Sequence, residues 1–157
     1  AIGAQVAHPG RLVIDIAGDG SIQMNIQELA TAALYNLPVK IVILNNRSLG
    51  MVRQWQSIFY QRRFSGVCLN RDARCPGECD GRSDSCPLYL PDFVKLAAAY
   101  NIPGFRSERP EEVAPILEKA FAHDGPAIVE FRISEEENVF PMVPAGAGLN
   151  EMLRGMA

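Results

Sequence analysis

At 157 residues and 17.2 kDa the chain is long enough for one compact domain, burying roughly 69% of its unfolded surface. With 48% hydrophobic and 21% charged residues it has ordinary globular composition, which argues against a disordered or fibrous chain. Fifteen basic against eighteen acidic residues leave a net charge of −3, so no basic excess exists to neutralise nucleic-acid phosphates or an anionic membrane.

The opening Ala1-Ile2-Gly3-Ala4 reads as the inside of an element, with no signal peptide, and the chain is expected to be part of something longer. Leu12 to Ala17 is a short, mostly apolar run ended by Gly18-Asp19-Gly20, the pattern of a buried strand. Ile26, Leu29, Ala30, Ala33, Leu34 and Leu37 then recur on one helical face. Asn25 and Glu28 have the spacing of a capping box, which predicts the helix start there. Pro38 stops the helix, and Val39 to Leu44 is a second strand, ended by Asn45-Asn46. Its apolar run Ile41-Val42-Ile43-Leu44 is far too short to span a bilayer. Strand, helix, strand in this order is the βαβ unit of a parallel sheet.

Met51 to Tyr60 predicts another helix, with Val52, Trp55, Ile58 and Phe59 on one side. Periodicity vanishes from Gln61 to Leu90, where Gly, Pro, Asp, Arg and four cysteines dominate, so a long loop or insertion is expected, with its distinctive part at about 66–90. Pro91 suits the first position of a helix carrying Phe93, Leu96, Ala97 and Tyr100. Pro110 opens a helix carrying Val113, Ile116, Leu117, Ala120 and Phe121, and Ala127 to Ile133 is the last clear strand. The tail from about 134 to 157, with two prolines and three glycines, predicts an extended arm and a short helix near Leu149 to Leu153. The expected architecture is α/β, a doubly wound and mostly parallel sheet, carrying a Cys-rich loop insertion within a single domain spanning 1–157.

Ligands of open parallel sheets bind beyond the carboxyl ends of the strands. Gly18-Asp19-Gly20-Ser21 lies at one such end and Asn45-Asn46-Arg47-Ser48-Leu49-Gly50 at the next. If the strands are neighbours, a carboxylate and an amide oxygen face each other, hard ligands suited to Mg²⁺ shared with phosphate. The glycines let backbone approach a phosphate, and helix N-termini follow both clusters. A lone Gly-Asp-Gly is an ordinary turn; its pairing with Asn-Asn after 24 intervening residues makes a Mg²⁺–diphosphate site the better reading.

That pairing is the signature of thiamine-diphosphate enzymes. The fuller text, Gly18 to Leu29, Leu44-Asn45-Asn46 and Leu49-Gly50-Met51-Val52-Arg53-Gln54-Trp55-Gln56, resembles the acetolactate synthase (acetohydroxyacid synthase) large-subunit family. Pro91 to Ala97 and Glu137 to Pro144 are similar to it as well, so the resemblance covers the chain except about 66–90. It implies a thiamine-diphosphate-binding fold, with Mg²⁺ held by Asp19, the Asn46 side chain and the backbone carbonyl of Ser48. It implies Gly18, Gly20, Ser21, Gly50 and Met51 around the diphosphate, and Met24, Met51, Val52 and Trp55 along the active-site channel. Trp55 would shape the pocket for the second 2-keto acid and meet herbicides; ordinary helix packing is the competing reading of Trp55 and Met51.

The implied reaction condenses two pyruvates, or pyruvate and 2-ketobutyrate, in branched-chain amino-acid biosynthesis. It would run in a cytoplasmic homo-oligomer with active sites at subunit interfaces, FAD bound outside this segment, and a regulatory small subunit. The glutamate that activates the cofactor belongs to a separate N-terminal domain in this family, and Glu28 reads as a helix cap. No catalytic residue is therefore expected here, and the segment alone is expected to be inactive. Other thiamine-diphosphate decarboxylases or carboligases, and a non-catalytic module on the same scaffold, are the alternatives; Trp55 and Pro141 to Pro144 speak against the first, and intact Asp19 and Asn46 against the second.

Cys68, Cys75, Cys79 and Cys86 fall where the resemblance fails, spaced C-x6-C-x3-C-x6-C. Only the Cys75–Cys79 gap fits a zinc site. Free thiols, structural Zn²⁺, disulfides and an iron–sulfur centre stay open as readings. His8 and His123, far apart beside Pro9 and Asp124, read as solvated loop residues.

Overall fold

The computed structural model describes residues 1–69 and 90–155. Four strands form a parallel sheet in the order β1-β2-β4-β3: β1 Ile14–Gly18, β2 Lys40–Asn45, β3 Gly104–Ser107 and β4 Ala127–Arg132. Helix α1 (Ile2–Ala7) precedes them, α2 (Asp19–Ile22) and α3 (Leu29–Leu34) join β1 to β2, and α4 (Gly50–Phe59) and α5 (Phe93–Ala99) lie between β2 and β3. Helix α6 (Val113–Phe121) returns the chain from the outer β3 to the inner β4.

The pleat sends alternate residues to opposite faces, and each face has its own core. Ile41, Ile43 and Ile128 pack with Leu29 of α3 and with Phe93 and Ala97 of α5. Val42, Ala127, Val129 and Phe131 pack with Ala120 and the apolar stripe of α6. Helices on both faces make the sheet doubly wound, as the sequence pattern implies. On β1 the second face stays open, Ile16 being 71% exposed. Lys40 is buried at the start of β2, where its ammonium donates to the carbonyls of His123 and Gly125 at 2.6 Å each.

Three local expectations change. The chain turns helical at Asp19, directly after β1, and not at Asn25. Asn25 has φ −137° and ψ 29°, so its helix-breaking tendency marks a kink within a 3₁₀ stretch, Gln23–Glu28. Asp92, and not Pro91, starts α5: its carboxylate accepts from the N–H groups of Val94 and Lys95 at 3.1 and 3.2 Å, a capping arrangement. Strand β3 has no counterpart in the sequence reading. Gly104-Phe105-Arg106-Ser107 contains one large apolar residue, and its extended form depends on the β4 backbone beside it.

The C-terminal arm follows β4, and Met142 and Leu153 pair across an antiparallel bridge with a 3₁₀ turn at Leu149–Glu151 between them. Gln54 of α4 grips the arm at one residue, Val139, through both of its backbone groups. Its amide donates to the Val139 carbonyl at 2.9 Å and its carbonyl accepts from the Val139 N–H at 2.8 Å.

Candidate functional site

Because Gly18 pairs with Leu44 in register, the residues after β1 and after β2 emerge side by side at one end of the sheet. Asp19 is 2% exposed there. Its Oδ1 accepts the N–H of Gly20 at 2.9 Å. Its Oδ2 is buried without a hydrogen-bond partner among the described residues. Burial pushes the carboxyl above the ordinary carboxylate value, and the backbone N–H groups of Gly20, Arg47 and Ser48 only partly offset it. An ionised carboxylate with one oxygen sealed off and unpaired is costly, and a cation at that oxygen would remove the cost.

The facing turn is strapped by its own side chains. Asn45 Oδ1 accepts from the Arg47 N–H at 3.0 Å and Asn46 Oδ1 from the Ser48 N–H at 3.1 Å. Arg47 is thereby held at φ 59°, in the left-handed region. From outside, the Val67 carbonyl accepts from the Ser48 hydroxyl and the Leu49 N–H, and Leu69 donates to the Arg47 carbonyl. A Cβ on Gly50 would lie 2.9 Å from Asn46 Nδ2, and one on Gly20 would lie 2.9 Å from a Leu49 methyl. Glycine at these two positions allows the loops to close on each other.

Asp19, with its buried orphan oxygen, lies against the turn that carries Asn46 and Ser48, so a carboxylate, an amide oxygen and a backbone carbonyl are the hard donors present at this end of the sheet. This hard-oxygen set fits Mg²⁺. The Ser21 hydroxyl accepts from the Gly18 N–H at 2.9 Å and holds the first turn of α2 onto the end of β1. Helix α4 opens at Gly50, and its first bond within the helix is Arg53 N–H to the Leu49 carbonyl. The N–H groups of Gly50, Met51 and Val52 are therefore not used inside the helix and are available to an anion.

Further along α4, Met51, Val52 and Trp55 line a groove of about 560 Å³ with Gln56, Tyr60 and Arg63. Trp55 is 37% exposed, and Phe59 meets it edge-to-face at 5.5 Å between ring centres. Met24, 77% exposed on the 3₁₀ segment, does not line this groove, and neither does Ile58. Gln56, Tyr60 and Arg63 were not among the expected channel residues, although Gln56 and Tyr60 continue the stripe of Val52 at helical spacing. The amphipathicity of α4 is inverted: Arg53 and Gln54 are buried while its apolar residues are exposed. Arg53 stacks over the Phe64 ring at 4.9 Å and reaches Glu136 at 3.5 Å.

Of the four cysteines, Cys68 lies half-buried in a bridge to Ser48, against the site. Cys75, Cys79 and Cys86 lie outside the described residues. Among the described residues no group of three or more His, Cys, Asp and Glu side chains could hold a metal, and the zinc reading turns on cysteines outside them.

Residues 1–131 match the family model of the thiamine pyrophosphate enzyme C-terminal TPP-binding domain. The chain belongs to this family. It is 42% identical over 157 residues to the acetolactate synthase isozyme 2 large subunit of Escherichia coli K12, covering 100% of this chain and 25% of that protein. It is 43% identical over 153 residues to the acetolactate synthase large subunit of Pyropia yezoensis, covering 98% of this chain and 23% of that protein. Among solved structures it is similar to the thiamine diphosphate-dependent 4-hydroxybenzoylformate decarboxylase of Rhodococcus jostii RHA1. There the TM-score is 0.66 at 32% identity, covering 88% of this chain and 23% of that chain. The TPP-binding domain thus spans about a quarter of the length of these relatives. Among its described residues no helix is long and apolar enough to cross a membrane.

Proposed function

We propose that this chain is the cofactor- and Mg²⁺-binding part of an acetolactate synthase, which condenses two pyruvates to 2-acetolactate with loss of CO₂. With 2-ketobutyrate as acceptor it would form 2-aceto-2-hydroxybutyrate. The observation that carries the reading is the buried Oδ2 of Asp19, without a partner among the described residues and set against the 45–48 turn, in a chain 42% identical to an acetolactate synthase large subunit. Thiamine diphosphate, when bound, supplies the thiazolium carbon that adds to the keto carbon and accepts the electrons released with CO₂.

This chain's residues do the anchoring. Asp19, the Asn46 amide oxygen and the Ser48 carbonyl would hold Mg²⁺. Gly18, Gly20, Ser21 and the unused N–H groups of Gly50 and Met51 would receive the diphosphate oxygens. Met51, Val52 and Trp55 offer the acceptor keto acid an apolar wall at the groove. The acid that activates the cofactor would come from another part of the enzyme, as the resemblance to the family implies. FAD in that other part, a homo-oligomer with shared active sites, a regulatory small subunit and a cytoplasmic setting complete the proposal.

The 32% identity to a decarboxylase favours a second reading, release of an aldehyde in place of carboligation. Product analysis of the complete enzyme with pyruvate decides between them. Acetolactate as the main product supports the proposal, and acetaldehyde as the main product overturns it.

A further inference from the structure

Behind the metal turn lies a chain of buried polar groups that the anchoring account leaves unused. Glu130, on the inner strand β4, is 0% exposed. Its Oε1 accepts from Asn45 Nδ2 at 2.7 Å and its Oε2 from Arg106 Nε at 2.8 Å. Arg132 Nε also approaches Oε1 at 3.1 Å, off the line a hydrogen bond needs, so it contributes as an ion pair. Arg106, paired with Glu130 across the β3–β4 register, places its Nη2 between the two carboxylates, 2.7 Å from Glu130 Oε2 and 2.7 Å from Asp92 Oδ1. The same Asp92 oxygen caps α5 through Val94 and Lys95.

Asn45 is the link from this chain to the site. Its Nδ2 is fixed by Glu130, and its Oδ1 receives the N–H of Arg47. Arg47 sits at φ 59°, which a side-chain-bearing residue adopts only when its surroundings hold it there. Asn46 and Ser48 flank Arg47 on either side. A charged group on an inner strand is not the simplest way to stabilise a sheet, because apolar residues of similar volume often serve as well. Here the carboxylate does something an apolar residue cannot. It fixes the orientation of an amide whose other end sets the turn.

We propose that Glu130 and Asn45 are positioning residues for the Mg²⁺–diphosphate turn, with Arg106 of the neighbouring strand β3 holding Glu130 and Asp92 in turn holding Arg106. The inference rests on the assignment of Mg²⁺ to Asp19, Asn46 and Ser48. Partners behind metal ligands typically change affinity by about 10- to 100-fold when removed. The residues themselves touch neither metal nor substrate.

The test is calorimetric binding of thiamine diphosphate to the complete enzyme across a series of Mg²⁺ concentrations, with thermal unfolding of each variant recorded without metal. Asn45→Ala is expected to raise the Mg²⁺ concentration for half-maximal cofactor binding about tenfold or more. Arg106→Gln is expected to raise it less, and the double variant no more than Asn45→Ala alone, because both act through the same turn. Rescue is read from Glu130→Gln, which keeps an oxygen for Asn45: it is expected to stay nearer the parent in Mg²⁺ requirement than Glu130→Ala. Should the Glu130 variants not fold, the Asn45 and Arg106 cycle carries the test. A lowered unfolding temperature for Asn45→Ala with an unchanged Mg²⁺ requirement would overturn the proposal, as would independent effects in the double variant. Asp19→Ala separates the two assignments. If it too leaves the Mg²⁺ requirement unchanged, the metal site itself is wrong; if it alone abolishes the dependence, only the positioning role fails.

Discussion

The turn after β2 and the groove along α4 are consecutive in sequence and opposite in construction. In the turn, almost every polar atom is engaged: Asn45 and Asn46 close on their own backbone, and residues 67 and 69 strap the loop from outside. Against this turn, from the end of β1, lies the buried Oδ2 of Asp19, without a hydrogen-bond partner among the described residues. In the groove Met51, Val52 and Trp55 present exposed apolar surface, and polar Gln56 and Arg63 stand beside them. Closed polar networks tolerate little and hold a ligand in one geometry. Apolar walls discriminate by volume, in smaller steps, and accept substitution more readily. The contrast underlies the proposed division of labour, anchoring by the turn and substrate selection by the groove.

The largest effect is expected at the orphan oxygen. Asp19→Ala should abolish Mg²⁺-dependent thiamine-diphosphate binding in the complete enzyme, a loss beyond the roughly 10- to 100-fold that a supporting partner costs. Without metal the same variant should unfold at no lower temperature than the parent, because it removes a buried, half-satisfied carboxylate. Unchanged cofactor affinity, read by calorimetry, would dissolve the contrast between the two regions.

A smaller, selective effect is expected in the groove. Trp55→Leu should largely preserve pyruvate turnover while eroding preference for 2-ketobutyrate by about tenfold or more. One methylene in an apolar pocket is worth about 1–3 kcal/mol of discrimination, roughly 10- to 200-fold. Competition between the two acceptors measures it. An unchanged product ratio would return Trp55 to packing against Phe59.

Gln54 bridges the groove helix and the arm. Gln54→Ala leaves the Val139 N–H and carbonyl without their side-chain partner, each hydrogen bond being worth about 0.5–1.5 kcal/mol at this exposed residue. Faster proteolysis within the arm, with cofactor affinity retained, is the expected result. Equal loss of both would mean that arm and anchor act as one unit.

The smallest effect lies farthest from the ligand. Asp92→Ala removes the cap of α5, worth about 1 kcal/mol. Burial acts to raise the Asp92 carboxyl, but the Lys95 amide and the Arg106 guanidinium outweigh it and hold the group below its usual 3.8. The folded protein therefore binds this proton less readily than the unfolded chain. Its contribution is present above the ordinary carboxylate range and is lost as pH falls through the folded value. The parent should lose more stability than the variant on acidification, by urea unfolding; parallel curves would deny the coupling.

The contrast also explains what was legible in the sequence. Gly18-Asp19-Gly20 and Asn45-Asn46 stand at the ends of two apolar runs, so βαβ logic alone brings them together. The helix start was misplaced because Asn25 carries the chemistry of a cap, which serves equally at a kink. The buried roles of Arg53 and Gln54 were hidden because polar residues on a helix ordinarily face water. Within Ala127 to Ile133 the sequence singles out nothing at Glu130, and its buried role rests on partners distant in the chain, Asn45 and Arg106. Strand β3 depends on its neighbour for its form, so local pattern could not announce it.

The most direct test is to locate the metal. Crystals of the complete enzyme with thiamine diphosphate and Mn²⁺ in place of Mg²⁺ should show one anomalous peak at this site. It should lie about 2.0–2.2 Å from Asp19 Oδ2, Asn46 Oδ1 and the Ser48 carbonyl oxygen, with diphosphate oxygens completing an octahedron. A peak elsewhere, or diphosphate bound while Asp19 Oδ2 stays without a cation, would contradict the account.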